Sequence, residues 1–205
     1  MEIVHRINRI RACLLTNANP PTEQRNALTQ LRLNLDNRLA TLTQRINPDD
    51  EAATTPLRRL RILYTADLYR LAATLYLLRV VPLPHDDEAN RTRCLEAALA
   101  ALDRLDVATS PWPLFVIACE AMADGARVQI LRVLERMETV RGIGNIRVLR
   151  GIIEAFWKQF DLRADMIGLG GHSSGGSGGA AGQTQGPHVR WLDLVNCDTP
   201  VPWFI

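Results

Sequence analysis

The chain has 205 residues, a net charge of +2 and 47% hydrophobic residues, enough for one sizeable domain with a true core and a tail. Near-neutral charge removes the general electrostatic case for nucleic acid or a membrane surface, and no apolar run reaches the roughly 20 residues that a membrane span requires. The cysteines Cys13, Cys94, Cys119 and Cys197 lie far apart, which excludes CxxC zinc or redox spacing and fits a reducing intracellular compartment.

The first fifteen residues, MEIVHRINRIRACLL, carry charges among their apolar positions, unlike a signal peptide. Ile3, Ile7, Ile10 and Leu14 recur at helical steps over residues 2–16, so an amphipathic helix is predicted there. A basic amphipathic helix can bind a membrane surface or a partner helix; docking on the core is the expected use here. Residues 1–80 hold 12 arginines against 7 acidic residues, a net of +5, and residues 81–205 hold 12 basic against 15 acidic, a net of −3. These arginines are dispersed, so solvated helix faces are expected ahead of a phosphate-binding face.

Asn19-Pro20-Pro21 breaks the chain. The next helix is predicted from Thr22 to Ile46, with Leu28, Leu31, Leu35, Leu39, Leu42 and Ile46 at steps of three and four. That stripe barely reaches the heptad count a coiled coil needs, so core packing is expected. Asn47-Pro48-Asp49-Asp50 reads as a turn. Thr55 and Pro56 then suit an N-cap and a first helical position. A long stripe follows through Leu57, Leu60, Tyr64, Leu68, Leu71, Leu75 and Leu78, and Pro82 and Pro84 stop it. Arg58, Arg59 and Arg61 lie around its first turn, facing mainly away from the stripe.

His85-Asp86-Asp87-Glu88 opens another helix with an acidic first turn that complements the helix dipole. Adjacent carboxylates can hold magnesium, but no second carboxylate cluster accompanies these. Ala97, Ala98, Ala100 and Ala101 predict close packing of that helix on a neighbour. Ser110-Pro111 starts the next helix, and the run from Trp112 to Ala123 is apolar apart from Pro113 and Glu120. It is too apolar for a surface and too short for a membrane, so a buried central helix is predicted. Cys119 reads as a small core residue and Glu120 as a core-edge carboxylate paired with an arginine.

Asp124-Gly125 is a predicted break or kink, followed by a helix using Ile130, Leu131, Val133, Leu134 and Met137. Gly142-Ile143-Gly144-Asn145 is predicted to end it, with Asn145 capping a helix built on Val148 or Leu149, then Ile152, Ile153, Phe156, Trp157 and Phe160. Gly151 is expected to admit a close helix neighbour. Residues 168–187, GLGGHSSGGSGGAAGQTQGP, turn Gly- and Ser-rich and predict a flexible linker. Residues 188–195, centred on Trp191, are expected to return to the core, and the apolar end at Pro200–Ile205 to dock there.

Gly171-His172-Ser173-Ser174-Gly175 matches the GxSxG nucleophile elbow. That motif works on a strand-turn-helix with an acid and a histidine after it. Here a helical pattern precedes it, glycines follow, and His188 comes with no acid between. A serine hydrolase is therefore the remote alternative. The GxG at Gly142–Gly144 has no βαβ unit around it. No catalytic, cofactor-binding or metal-ligating residue is assigned.

Several segments stand in a specific order: Leu75-Tyr76 and Arg79-Val80; Trp112-Pro113-Leu114-Phe115; Cys119-Glu120-Ala121; Gly142 and Gly144-Asn145; Trp157, Asp161 and Trp191. Across residues 60–195 this series resembles the C-terminal part of the fungal-specific transcription factor regulatory domain, found in zinc binuclear cluster regulators. The resemblance implies an all-α regulatory module acting in the nucleus through protein partners, either as a homodimer or on the transcription machinery, and not at a membrane. In that family zinc sits in an N-terminal six-cysteine cluster; four cysteines cannot form one, so no cofactor is expected in this chain and DNA contact only through a cluster absent from it. The expected organisation is a multi-helix bundle or array over residues 1–167, a disordered Gly-rich linker over 168–187 and a returning segment over 188–205. A stand-alone helical interaction scaffold is the alternative.

Overall fold

The computed structural model describes residues 2–16, 21–47, 54–81, 88–105, 110–141 and 144–170. Among them the chain forms seven helices and no strand: α1 Glu2–Thr16, α2 Thr22–Thr41, α3 Pro56–Val80, α4 Glu88–Asp103, α5 Pro111–Glu120, α6 Asp124–Arg141 and α7 Gly144–Gly170. The fold is all-α, as the helical periodicity predicts. The GHSSGG motif, Gly142-Ile143, Asp86-Asp87 and everything after Gly170 lie outside the described residues.

Helix α3 is the hub. It packs most extensively on α4, then on α5, α1 and α2. The Thr55 hydroxyl accepts the Arg58 N–H at 3.3 Å, and Pro56 fills the first helical position, so the predicted start is correct to the residue. From Leu68 onward most of its apolar positions are buried, with Ala72, Leu75 and Leu77 inaccessible to solvent and Leu71 partly buried. Before that its first two turns project into solvent, where Leu57 is 66% and Leu60 47% exposed. The stripe is thus continuous in sequence but only partly covered in space.

Helix α5 is buried on all sides. Every residue from Pro113 to Glu120 is buried, and each fully buried aliphatic side chain contributes about 1.5–3 kcal/mol relative to exposure. The helix is shorter than the apolar run predicts. At Ala121 the backbone leaves the helix, its N–H donating to the carbonyls of Ile117 at 3.0 Å and Ala118 at 3.2 Å. The chain restarts as α6 at Asp124, so the break falls three residues before the predicted Asp124-Gly125 kink. This lets a segment that is apolar except for Glu120 lie in the core while the next helix turns one face outward.

Helices α6 and α7 pack on each other and, with α4, enclose α5. Ile130, Val133, Leu134 and Met137 of α6 meet Ile146, Leu149, Ile153, Phe156 and Trp157 of α7 in the core. Leu149 rather than the exposed Val148 joins it. Gly144 already lies in α7, so Asn145 belongs to its first turn instead of capping it. A side chain built at Gly151 would meet nothing within 4 Å; among the described residues no helix approaches there, which corrects the expected close contact. The backbone of α7 remains helical to Gly170, three residues into the Gly-rich composition.

Helices α1 and α2 cover α3. Ile7 and Ile10 are buried, with Ile3 and Leu14 packed beside them, as the α1 periodicity predicts. Helix α2 ends at Thr41, five residues before the predicted Ile46, with Leu42 extended and 51% exposed. Only Leu35 and Leu39 of its stripe are fully buried, joined by Arg32 on the same face.

Candidate functional site

Among the described residues, those that carry the sequence motifs tie α3, α5 and α7 together. Arg79, in its last turn, donates from Nε to Glu120 Oε1 at 2.9 Å and from Nη2 to Oε2 at 2.6 Å. Glu120 is the last residue of α5, and its side chain is 2% exposed. Arg91 of α4 approaches the same Oε2 at 3.5 Å and also pairs with Glu88 one turn back. A fork-to-fork arginine–carboxylate pair is both strong and directional. Burial opposes the charge on Arg79, but the bonds and charge of Glu120 hold its pKa above the ordinary arginine value. Three helices are tied together at one carboxylate.

A second tie uses Trp157. Its indole N–H donates to the Ala118 carbonyl at 2.9 Å in the core, joining α7 to α5. The guanidinium of Arg127 lies 5.5 Å from the Trp157 ring centroid and forks onto Asp161 with two 2.8 Å bonds. Those bonds hold the Asp161 carboxyl below the usual range. A third tie is aromatic. Trp112 stacks on Tyr69 at 5.9 Å and meets Tyr76 edge-on at 6.2 Å. The Tyr76 hydroxyl donates to Asn8 Oδ1 at 2.7 Å, and burial raises its pKa against the opposing pull of Arg11.

This arrangement suits cohesion more than chemistry. Both Glu120 oxygens already accept from Arg79, leaving no geometry for a general base facing a substrate. Burial pushes the Cys119 thiol far up, and Glu120 adds to that effect; it pushes the Cys94 thiol to about 11. Neither is an activated nucleophile. Among the described residues no group of three His, Cys, Asp or Glu side chains could hold a metal ion, and no helix is long and apolar enough to cross a membrane.

The sequence reading anticipates an arginine partner for Glu120 and a core role for Cys119. It misses Arg127, whose signal lies only in the partner 34 residues away. It also misses Arg32, which stands three and seven residues before the buried Leu35 and Leu39 and so shares their helix face. Its other omission is at the opposite end of α3. There a cavity of about 610 Å³ opens between the chain after α2 and the start of α3, lined by Gln44, Thr55, Leu57, Arg58, Arg61, Ile62, Thr65 and Ala66.

A family model described as "fungal specific transcription factor domain" matches residues 1–204, further in both directions than the motif series over 60–195. A region of 98 residues is 34% identical to transcription factor iacI of Pestalotiopsis fici, covering 46% of this chain and 25% of that protein. The matched part is therefore about a quarter of the relative's length. No solved structure matches the chain.

Proposed function

Because the chain belongs to the fungal specific transcription factor domain family, whose role is transcriptional regulation, we propose that it is the regulatory and protein-interaction module of a nuclear transcription factor. The observation that carries this reading is the use of the motif residues. Arg79, Glu120, Trp157, Tyr76 and Trp112 are engaged with one another or with the core. A body held rigid in that way presents faces to partners instead of a pocket to a substrate. Partners would be proteins: a second copy of the chain or components of the transcription machinery. DNA would be reached only through a zinc cluster that these 205 residues, with four cysteines, do not contain.

The test is a fungal reporter assay with the chain fused to a heterologous DNA-binding domain, alongside a fluorescent fusion. A change in reporter output together with nuclear accumulation is expected. A folded fusion that leaves the reporter unchanged and stays outside the nucleus would overturn the proposal.

A further inference from the structure

We infer that the outward face of α6 is an isologous interface at which a second copy of this chain pairs antiparallel. This rests on the reading above, that the domain works by protein contact, and names one partner and the surface it uses. The face is the stripe Val128, Arg132, Glu135 and Thr139, at steps of four, three and four, and all four residues are exposed. Val128 is 46% exposed. The Thr139 hydroxyl donates to the Glu135 carbonyl at 2.8 Å, which leaves the threonine methyl for contact. That spacing suits a helix-on-helix seam. The order of chemistry along it selects a second copy. The midpoint of positions 132 and 135 is also the midpoint of 128 and 139. A two-fold axis there sets Arg132 against Glu135 of the second copy, and Val128 against Thr139 of the second copy, each twice. A two-fold interface requires such self-complementarity.

The flank of α6 toward α4 continues the pattern. A cavity of about 390 Å³ there is lined by Asp103, Gln129, Arg132, Glu135 and Arg136. Two cations and two carboxylates share it, yet among the described residues none of the four forms an ion pair. Arg132 and Glu135 stand one turn apart, where a helix allows such a pair. Arg150 lies within electrostatic reach of Glu135, but its ion pairs go to Glu138 at 3.6 Å and Glu154 at 2.9 Å. Asp103 closes the last turn of α4, where the helix dipole disfavours an anion. The two-fold axis brings equal flanks together, so Arg136 gains Asp103 of the second copy. Charge left unmatched within one copy is matched between two. The 18 residues of α6 give a seam only about 27 Å long, and exposed ion pairs contribute little each, so the pairing is weak and concentration-dependent.

The experiment is sedimentation of the full chain over a wide concentration range. A monomer–dimer equilibrium is expected, shifting toward monomer as salt rises. Arg132→Glu and Glu135→Arg should each weaken self-association by about tenfold or more, because each sets like charges opposite one another twice. Mixed together, the two variants should associate again, since one copy then carries only acid at the charged positions of the stripe and the other only arginine. Val128→Asp should also weaken the dimer. Because these side chains are exposed, unchanged thermal unfolding serves as the folding control, and recovery on mixing reads the pairing itself. A chain that stays monomeric at every concentration, a dimer indifferent to the variants, or variants that do not associate when mixed would overturn the inference. If no dimer forms while the reporter assay succeeds, the regulatory role stands and only this face is lost. A dimer with the expected variant behaviour beside a silent reporter keeps the face and removes the regulatory reading.

Discussion

The Arg79 guanidinium and the Glu120 carboxylate meet fork to fork at 2.9 and 2.6 Å across 41 residues of sequence. They close the end of α3 onto the end of α5, at the edge of the core. Removing one partner strands the other without water. Glu120→Ala should therefore cost about 3–5 kcal/mol of unfolding free energy. Arg79→Met combined with Glu120→Leu should recover most of that loss, because two apolar groups need no partner. Urea unfolding of the two variants separates the cases; a single variant as stable as the parent would mean that water reaches the pair.

Trp157 offers a smaller test. Trp157→Phe keeps the ring in the core but removes the N–H that reaches the Ala118 carbonyl. That carbonyl retains the Ala121 N–H at 3.2 Å, so it is not left bare. A loss of roughly 0.5–1.5 kcal/mol is expected from denaturant unfolding.

The Arg127–Asp161 fork predicts a pH dependence with a definite sign. Asp161 has a folded pKa below its ordinary value of 3.8. Its contribution is therefore present above that ordinary value and lost as pH falls through the folded value. The Tm gap between the parent and Asp161→Asn should be present at neutral pH and close in strong acid. Because Asp161 is half exposed, the gap should correspond to no more than about 1 kcal/mol and shrink with added salt.

Thiol labelling checks the burial of α5. Cys13 is exposed, Cys94 partly buried and Cys119 buried. With the Cys94 thiol pushed up to about 11 and the Cys119 thiol also raised by burial, alkylation of the folded protein at neutral pH should run in the order Cys13, Cys94, Cys119, read by mass spectrometry. Cys119 should react only on unfolding. Early labelling of Cys119 would contradict a core position for α5.

Much of the fold was legible because helical periodicity is local. The stripes of α1, α3, α6 and α7 each follow from apolar residues at steps of three and four, and Thr55-Pro56 marks a helix start to the residue. Termini were less legible where the decision is tertiary. The extra turn predicted for α2 beyond Thr41 has good local pattern, but Leu42 stays 51% exposed, so among the described residues too little packs over it to repay the ordering of another turn. The apolar run at 112–123 has no internal stop, yet its helix ends at Glu120, the residue whose carboxylate meets Arg79.

The ordered motif series made the family readable from residues alone, and the all-α class followed from spacing. Those features depend on side-chain type and order, which the sequence states directly. Which charges pair, and which part of a stripe stays uncovered, was decided only by the packed chain. Glu120 could have met any of many arginines; folding brings Arg79 and Arg91 to it. Leu57 and Leu68 belong to one stripe, yet one is exposed and the other buried, because the neighbouring helices reach only the second. Solvent accessibility is a property of neighbours, and periodicity reports only the face on which a neighbour would have to sit.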